Sequence, residues 1–186
     1  MRTFVFFILF LALPAISLAT DYQGHCTVAF EGSSTLHDFN GKGRCEPFIA
    51  SENAGIINVP ELTVAVADMD TDNSSRDNKM RKMFEAEMYP LITGMSGPVS
   101  LSTIRKALEE NIDSTQPLLF QLKVRDIEKP VTAILQNIVE TEDKLTADLA
   151  FTLSLADYKL KAPSVLGIIR VGDTIKVTTS FLLEAH

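Results

Sequence analysis

The chain has 186 residues, one domain's worth, with a formal net charge of −7. No stripe of Lys or Arg interrupts that acidity, which argues against nucleic acid and against an anionic membrane surface as partners. Its only cysteines, Cys26 and Cys45, form neither a CxxC redox motif nor a CxxCH haem site.

Arg2 precedes an apolar run from Phe4 to Leu13, Pro14 breaks the run, and Ser17 and Ala19 are small residues suited to a cleavage site. That is the layout of a secretory signal peptide, and the run is shorter than the roughly 20 residues of a membrane span. Cleavage is expected after Ala19, so that residues 1–19 are removed and residues 20–186 form a single domain in the periplasm or outside the cell. An oxidising compartment favours a Cys26–Cys45 disulfide, which would close a loop of about 20 residues and contribute roughly 3 kcal/mol on the chain-entropy model. Two buried free thiols are the alternative.

Past this segment the apolar residues recur every second position. Strands are expected near 22–33 and 39–50, separated by Ser34-Thr35-Leu36-His37-Asp38. That stretch holds the residue types of a serine hydrolase. His37 and Asp38, however, are neighbours whose side chains point to opposite faces of an extended chain, and no GxSxG elbow is present. A turn whose Ser, Thr and Asp side chains serve free backbone groups accounts for it better, with Phe39 restarting the buried face. A third strand near 57–68 would put Leu62, Val64 and Val66 on one face. It runs into Asp68-Met69-Asp70-Thr71-Asp72-Asn73, which lacks the Gly and Glu of a calcium loop at the positions held by Asn73 and Lys79. His25, His37 and His186 have no zinc-like spacing. No metal and no cofactor are expected.

The period then changes. Ser74 as N-cap with Asp77 three residues on reads as a capping box; Met80, Met83, Phe84 and Met88 follow at helical spacing, and Pro90 closes the element. The pattern predicts one amphipathic helix with Lys79, Arg81, Lys82, Glu85 and Glu87 outward. Three methionines on its stripe suit an adaptable apolar partner as well as a core. Strands resume near 91–102, 117–127, 131–140, 144–156 and 173–184, with polar connections at 103–116 and 159–167. In the fifth, Leu118, Phe120, Leu122 and Val124 alternate with polar residues. In the seventh, Ala147, Leu149, Phe151, Leu153 and Leu155 do so, and in the last Ile175, Val177, Phe181 and Leu183. One wet and one buried face is the antiparallel signature. About eight such strands and one helix favour a closed sheet, although periodicity alone does not separate a barrel from a sandwich.

Three segments carry a family resemblance. Asp68-Met69-Asp70-Thr71-Asp72 leads into Ser75-Arg76-Asp77-Asn78-Lys79-Met80-Arg81-Lys82-Met83-Phe84 and on to Tyr89-Pro90. Gly32 to Phe39 includes Ser34-Thr35-Leu36-His37-Asp38, and Leu166 to Asp173 precedes the last strand. Together they resemble the YceI-like family of secreted lipid-binding proteins over essentially the whole mature chain. Gly94 departs from it, standing where the family usually has a bulky apolar residue. The resemblance implies an all-β fold, an eight-stranded antiparallel lipocalin-like barrel with one amphipathic helix across it. It also implies an apolar cavity for a polyisoprenoid tail such as that of a prenyl quinone or polyprenyl phosphate.

The expected function is therefore binding of one isoprenoid lipid or quinone for carriage or storage in the periplasm, without catalysis. A lipid drawn from a bilayer would be loaded in a transient contact with a membrane or membrane protein. The expected walls are Val28, Phe30, Val64, Val66, Phe120, Leu122, Leu149, Phe151, Leu153, Ile175, Val177 and Phe181, with Met80, Met83 and Phe84 closing one side. His37 and Asp38 are candidates for head-group contact at the barrel mouth. The alternative is a secreted interaction or stress protein whose barrel is filled by its own side chains. An esterase built on Ser34 and His37 is a third reading.

Overall fold

A computed structural model of the chain describes residues 19–109, 115–162, 164–165 and 169–185. The expected signal peptide, apart from Ala19, and His186 lie outside them. In chain order the strands and helices are β1 (Thr20–Ser34), β2 (Phe39–Arg44), β3 (Phe48–Asn53), β4 (Ile56–Asn58), β5 (Leu62–Ala65), α1 (Ser74–Phe84), β6 (Leu91–Ser96) and β7 (Val99–Ser100). They continue with α2 (Leu101–Glu109), β8 (Gln116–Val124), β9 (Ile127–Glu140), β10 (Lys144–Ser154), β11 (Ser164–Val165) and β12 (Ile169–Ala185).

Among the described residues twelve strands stand where about eight were expected. Three of the expected strands are cut in two, at Pro47, Pro60 and Gly97-Pro98. A proline brings no N–H to the ladder and ends regular pairing there. The short β11 pairs with the start of β12 inside the expected loop at 159–167. The class is as read: a mostly antiparallel sheet in the order β5-β6-β8-β9-β10-β12-β1-β3-β4-β7, with β2 also on β1. Its first and last long strands pair from Tyr22↔Ala185 to Ser34↔Val171, and this contact curls the sheet into a barrel.

The curl is not fully closed by a ladder. Between β2 and the β5 side the wall is held by two isolated bridges, Lys42↔Asp70 and Cys45↔Val64. Lys42 N–H donates to Asp70 O at 2.8 Å, Asp70 N–H returns to Lys42 O at 2.9 Å, and Glu46 N–H donates to Thr63 O at 3.0 Å. Beside this seam the Cys26–Cys45 disulfide ties the end of β2 to β1, with Cα atoms 5.2 Å apart.

Aromatic rings cross to glycines on neighbouring strands. Phe30 pairs with Gly41, Phe39 with Gly32, and Phe48 with Gly24. A Cβ on Gly41 would sit 2.0 Å from the Phe30 ring, and one on Gly24 would sit 2.2 Å from Phe48. Each ring lies where a side chain would be, which lets large residues pack flat against a tightly curved wall. On β9 the register slips opposite Thr146 and Asp148. Asn137, at φ 52°, makes the bulge and donates from Nδ2 to Asp148 Oδ2 at 2.8 Å. The slip lets Leu135 and Ile138, three residues apart, both face inward.

The helices differ from expectation in three respects. The N-cap of α1 is Asn73, whose side chain accepts from Arg76 N–H, while Asp77 is buried and accepts from Thr71 N–H (3.0 Å) and Thr71 Oγ1 (2.6 Å). The helix stops at Phe84 because Glu85 adopts φ 54°, with Ala86 N–H capping Arg81 O; Met88 thereby leaves the apolar stripe and is 69% exposed. A second helix, α2, occupies the first half of the expected polar connection and buries Leu101 and Ile104.

Gly41→Val should cost about 1–3 kcal/mol, because the Phe30 ring must move off its place. Urea unfolding measures this, and an unchanged midpoint would mean that the ring does not rest on this glycine.

Candidate functional site

The inward faces of the sheet do not meet. Between them lie two apolar chambers, with about 1110 and 1140 Å³ of atom-free space counting their openings. Val28, Val64, Ile92, Phe151 and Thr179 belong to the walls of both, so the chambers stand end to end with these residues at a shared waist. There Phe151 meets Phe120 edge to face, centroids 5.2 Å apart. Strand β10 runs the length of the cavity: Leu145, Ala147 and Leu149 face the second chamber, Phe151 faces both, and Leu153 and, just past the strand's end, Leu155 face the first.

The first chamber is closed on one side by Met80, Met83 and Phe84 of α1. That helix is fastened at several points. Arg81 Nη2 donates to Ala67 O at 3.0 Å. Glu85 pairs at 2.8 Å with Arg125, whose guanidinium lies over the Tyr89 ring. The second chamber is bounded by Ile57 of β4, Val99 of β7 and Ile104 of α2. Here Arg105 grips Glu140 of β9 through both carboxylate oxygens, Nε to Oε2 at 2.8 Å. The Arg105 guanidinium holds the Glu140 carboxyl below its ordinary range. At the seam the Asp72 N–H, and after it Lys42, do the same for Asp70.

All of the expected wall residues except Val66 line one chamber or both. Val66 is fully buried but faces neither. β5 ends at Ala65, and Val66–Asp68 form a 3₁₀ turn anchored by Val66 N–H to Pro90 O, which turns the side chain out of the alternation. His37 and Asp38 lie exposed in the turn between β1 and β2, and their side chains line neither chamber; Phe39 is the residue that reaches inward from there. In that turn Ser34 Oγ donates to His37 O at 2.7 Å and accepts from the N–H groups of Leu36 and His37. The His37 ring contacts Asp38 O through Nδ1 at 3.0 Å, so the Ser34 hydroxyl serves backbone groups and not the imidazole. The two cysteines are bonded as expected and also line the second chamber. No cluster of three metal-ligating side chains exists among the described residues.

Three polar side chains in the first chamber went unnoticed at the level of sequence: Thr71, Arg76 and, at the waist, Thr179. Thr179 lay in plain view, since β12 alternation places it inward between Val177 and Phe181. Ile104 could have been found from its spacing three residues after Leu101. Arg76 stood within the family motif, yet a charged residue in the first turn of a helix reads as solvent-facing.

A family model described as the YceI-like domain matches residues 19–183. A polyisoprenoid binding domain from Saccharophagus degradans, implicated in plant cell wall breakdown, is similar in structure, with TM-score 0.63 and 16% identity over 89% of this chain and 98% of that one. BcnA of Burkholderia cenocepacia gives TM-score 0.60 and 12% identity over 84% and 95%. A YceI protein of Campylobacter jejuni gives 0.51 and 15% over 100% and 93%. At such identities the likeness concerns the fold. No curated protein matches the chain.

Two expected outcomes follow from the site's geometry. Phe151→Ala should cost less than the roughly 3–5 kcal/mol of that truncation in a solid core, since the ring already faces open space on two sides; a urea midpoint loss within that range would mean a ring packed all round. Glu140→Gln should blunt the acid sensitivity of folding. A depressed carboxyl stabilises above its unfolded pKa, near the ordinary 4.5, and that contribution is lost as pH falls through the lower folded value. Parallel pH–stability curves for the two proteins below pH 4.5 would contradict it.

Proposed function

The chain belongs to the YceI-like domain family, and from that premise we propose that it binds one isoprenoid lipid with its tail running through the waist from one chamber into the other. The observation that carries this reading is the pair of chambers sharing Phe151, Val28, Val64 and Ile92, walled almost entirely by apolar side chains. A long, flexible, methyl-branched chain fits two connected chambers better than a compact ligand does. Burial of apolar surface gives about 25 cal/mol per Å² gross, offset by the ordering of a flexible tail. The polyisoprenoid binding domain of similar fold supports the ligand class. Two adjoining apolar chambers inside the wall favour this reading over a barrel filled by its own side chains.

The protein would work outside the cytoplasm after removal of residues 1–19, as a carrier or store that shields its cargo from water. The Cys26–Cys45 bond supports an oxidising compartment, and no helix among the described residues is long and apolar enough to cross a membrane. Loading would take place in a transient contact with a membrane or a membrane protein.

Gly94 extends the second chamber. It sits opposite Leu122 on β8, and a Cβ there would meet only the Phe120 ring, at an ordinary 3.8 Å. Native mass spectra of detergent-free protein, followed by organic extraction, should show one releasable prenyl lipid per chain. Gly94→Leu should still fold but shift the bound population towards shorter tails. Bare protein that takes up no offered prenyl lipid would overturn the reading.

A further inference from the structure

We propose that the outward face of α1 docks the protein on an anionic lipid bilayer, and that the cavity is loaded from that end. This rests on the lipid-binding reading and adds the surface from which the cargo is taken. The helix carries four cations, Arg76, Lys79, Arg81 and Lys82, against one acid. That acid, Asp77, is buried and accepts from both the N–H and the hydroxyl of Thr71. Met80, Met83 and Phe84 lie against the first chamber. The face opposite them presents Ser75, Asn78, Lys79 and Lys82, all exposed, and no carboxylate.

Lys79 and Lys82 stand one turn apart on the same side of the helix. Neither makes a hydrogen bond or an ion pair among the described residues. Arg81 is turned back to Ala67 O and Arg76 to Thr71, so the two lysines are the helix charges left to meet a partner. Large apolar side chains are exposed at both ends of α1. Leu36, 69% exposed, sits in the β1–β2 turn, which reaches the start of the helix where Phe39 lies under Arg76. Met88, equally exposed, and then Leu91 follow the last turn. Cations flanked by apolar side chains match the border of a bilayer: ammonium groups meet head-group phosphates while apolar tips enter the acyl boundary. An acidic protein would satisfy the lysines and leave Leu36 and Met88 in water.

The net charge of −7 argues against an anionic membrane only for a charge spread evenly over the chain. Asp21, Glu52, Glu142 and Asp143 stand at the opposite end of the barrel, with the start of β1 and the β9–β10 turn. From there β10 runs 11 residues towards the end that holds α1, about 35 Å of extended chain. Screening at physiological salt acts over about 8 Å, so those acids do not act on a bilayer under the helix. Asp38, Asp68, Glu87 and Asp126 are nearer, but each lies in a turn beside α1 and none on its outward face.

The test is flotation of the purified, detergent-free protein with vesicles of phosphatidylcholine, alone or mixed with phosphatidylglycerol. Binding to the anionic vesicles should exceed binding to the neutral ones and fall in high salt. Lys79→Gln with Lys82→Gln should weaken it about 20- to 30-fold, near fivefold for each lysine. Leu36→Ser with Met88→Ser should weaken it roughly tenfold. Lys176→Gln, on the outer wall of β12, makes the same charge change away from the helix and should leave binding unchanged. None of these side chains lines a chamber, so farnesol binding by titration calorimetry should stay constant, which also reports that the variants fold. Equal binding to both kinds of vesicle, or a loss on Lys176→Gln matching that of Lys82→Gln alone, would overturn the docking face. No binding to either vesicle would overturn it as well and turn the lysines towards an acidic protein. Either failure with farnesol still bound would leave the lipid-binding reading standing. Docking by a protein that takes up no farnesol would remove that reading and with it loading from this end.

Discussion

The pairing of β1 with β12 is the contact on which the rest of the molecule depends. It joins residues near the two ends of the described chain, from Tyr22↔Ala185 to Ser34↔Val171, and turns an open meander into a curved wall. On its other edge β1 holds β2 through residues 27–32 and β3 through residues 20–24. One strand thus organises both chambers. Its inward Val28 stands at the waist, Phe30 faces the first chamber and Cys26 the second. Without that ladder the apolar faces of β10 and β12 would have no opposite wall and no cavity to enclose.

The interior is built on a division of labour between strands and insertions. Strands supply apolar side chains at regular intervals, and regularity leaves a tube with no chemical direction. The segment between β5 and β6 breaks the symmetry. It contributes α1, whose Met80, Met83 and Phe84 close one side of the first chamber. α2 seals the opposite chamber with Ile104 and with Arg105 bound to Glu140 on the outside.

Strand identity was legible in the sequence wherever alternation was undisturbed. The odd positions of β10 from Ala147 to Leu153, and Leu155 just beyond it, all face the cavity, and Phe120, Leu122, Ile175 and Val177 follow the same rule. Reading failed where the backbone changes phase. At Val66 a 3₁₀ turn replaces the strand, at Asn137 a bulge adds a residue, and at Glu85 a left-handed residue ends the helix before Met88. None of these phase changes is visible as a change in hydrophobicity. His37 and Asp38, the candidates for head-group contact, stay exposed in the turn, while Phe39, one step further, reaches inward.

The seam between β2 and β5 gives the barrel wall an uneven local stability. The long strands of the wall share extended ladders, whereas here two isolated bridges carry the join. Local opening needs only those few backbone bonds to break, so the amides of Lys42, Glu46 and Asp70 should exchange with solvent deuterium well before those of β1 and β12. The disulfide sets a limit on such an opening, because Cys45 stays tethered to Cys26 when its bridge to Val64 parts. Breathing is thereby confined to a slit running from the tether towards the Lys42–Asp70 bridge, along the flank of the first chamber, while the bulk of the sheet keeps its protection.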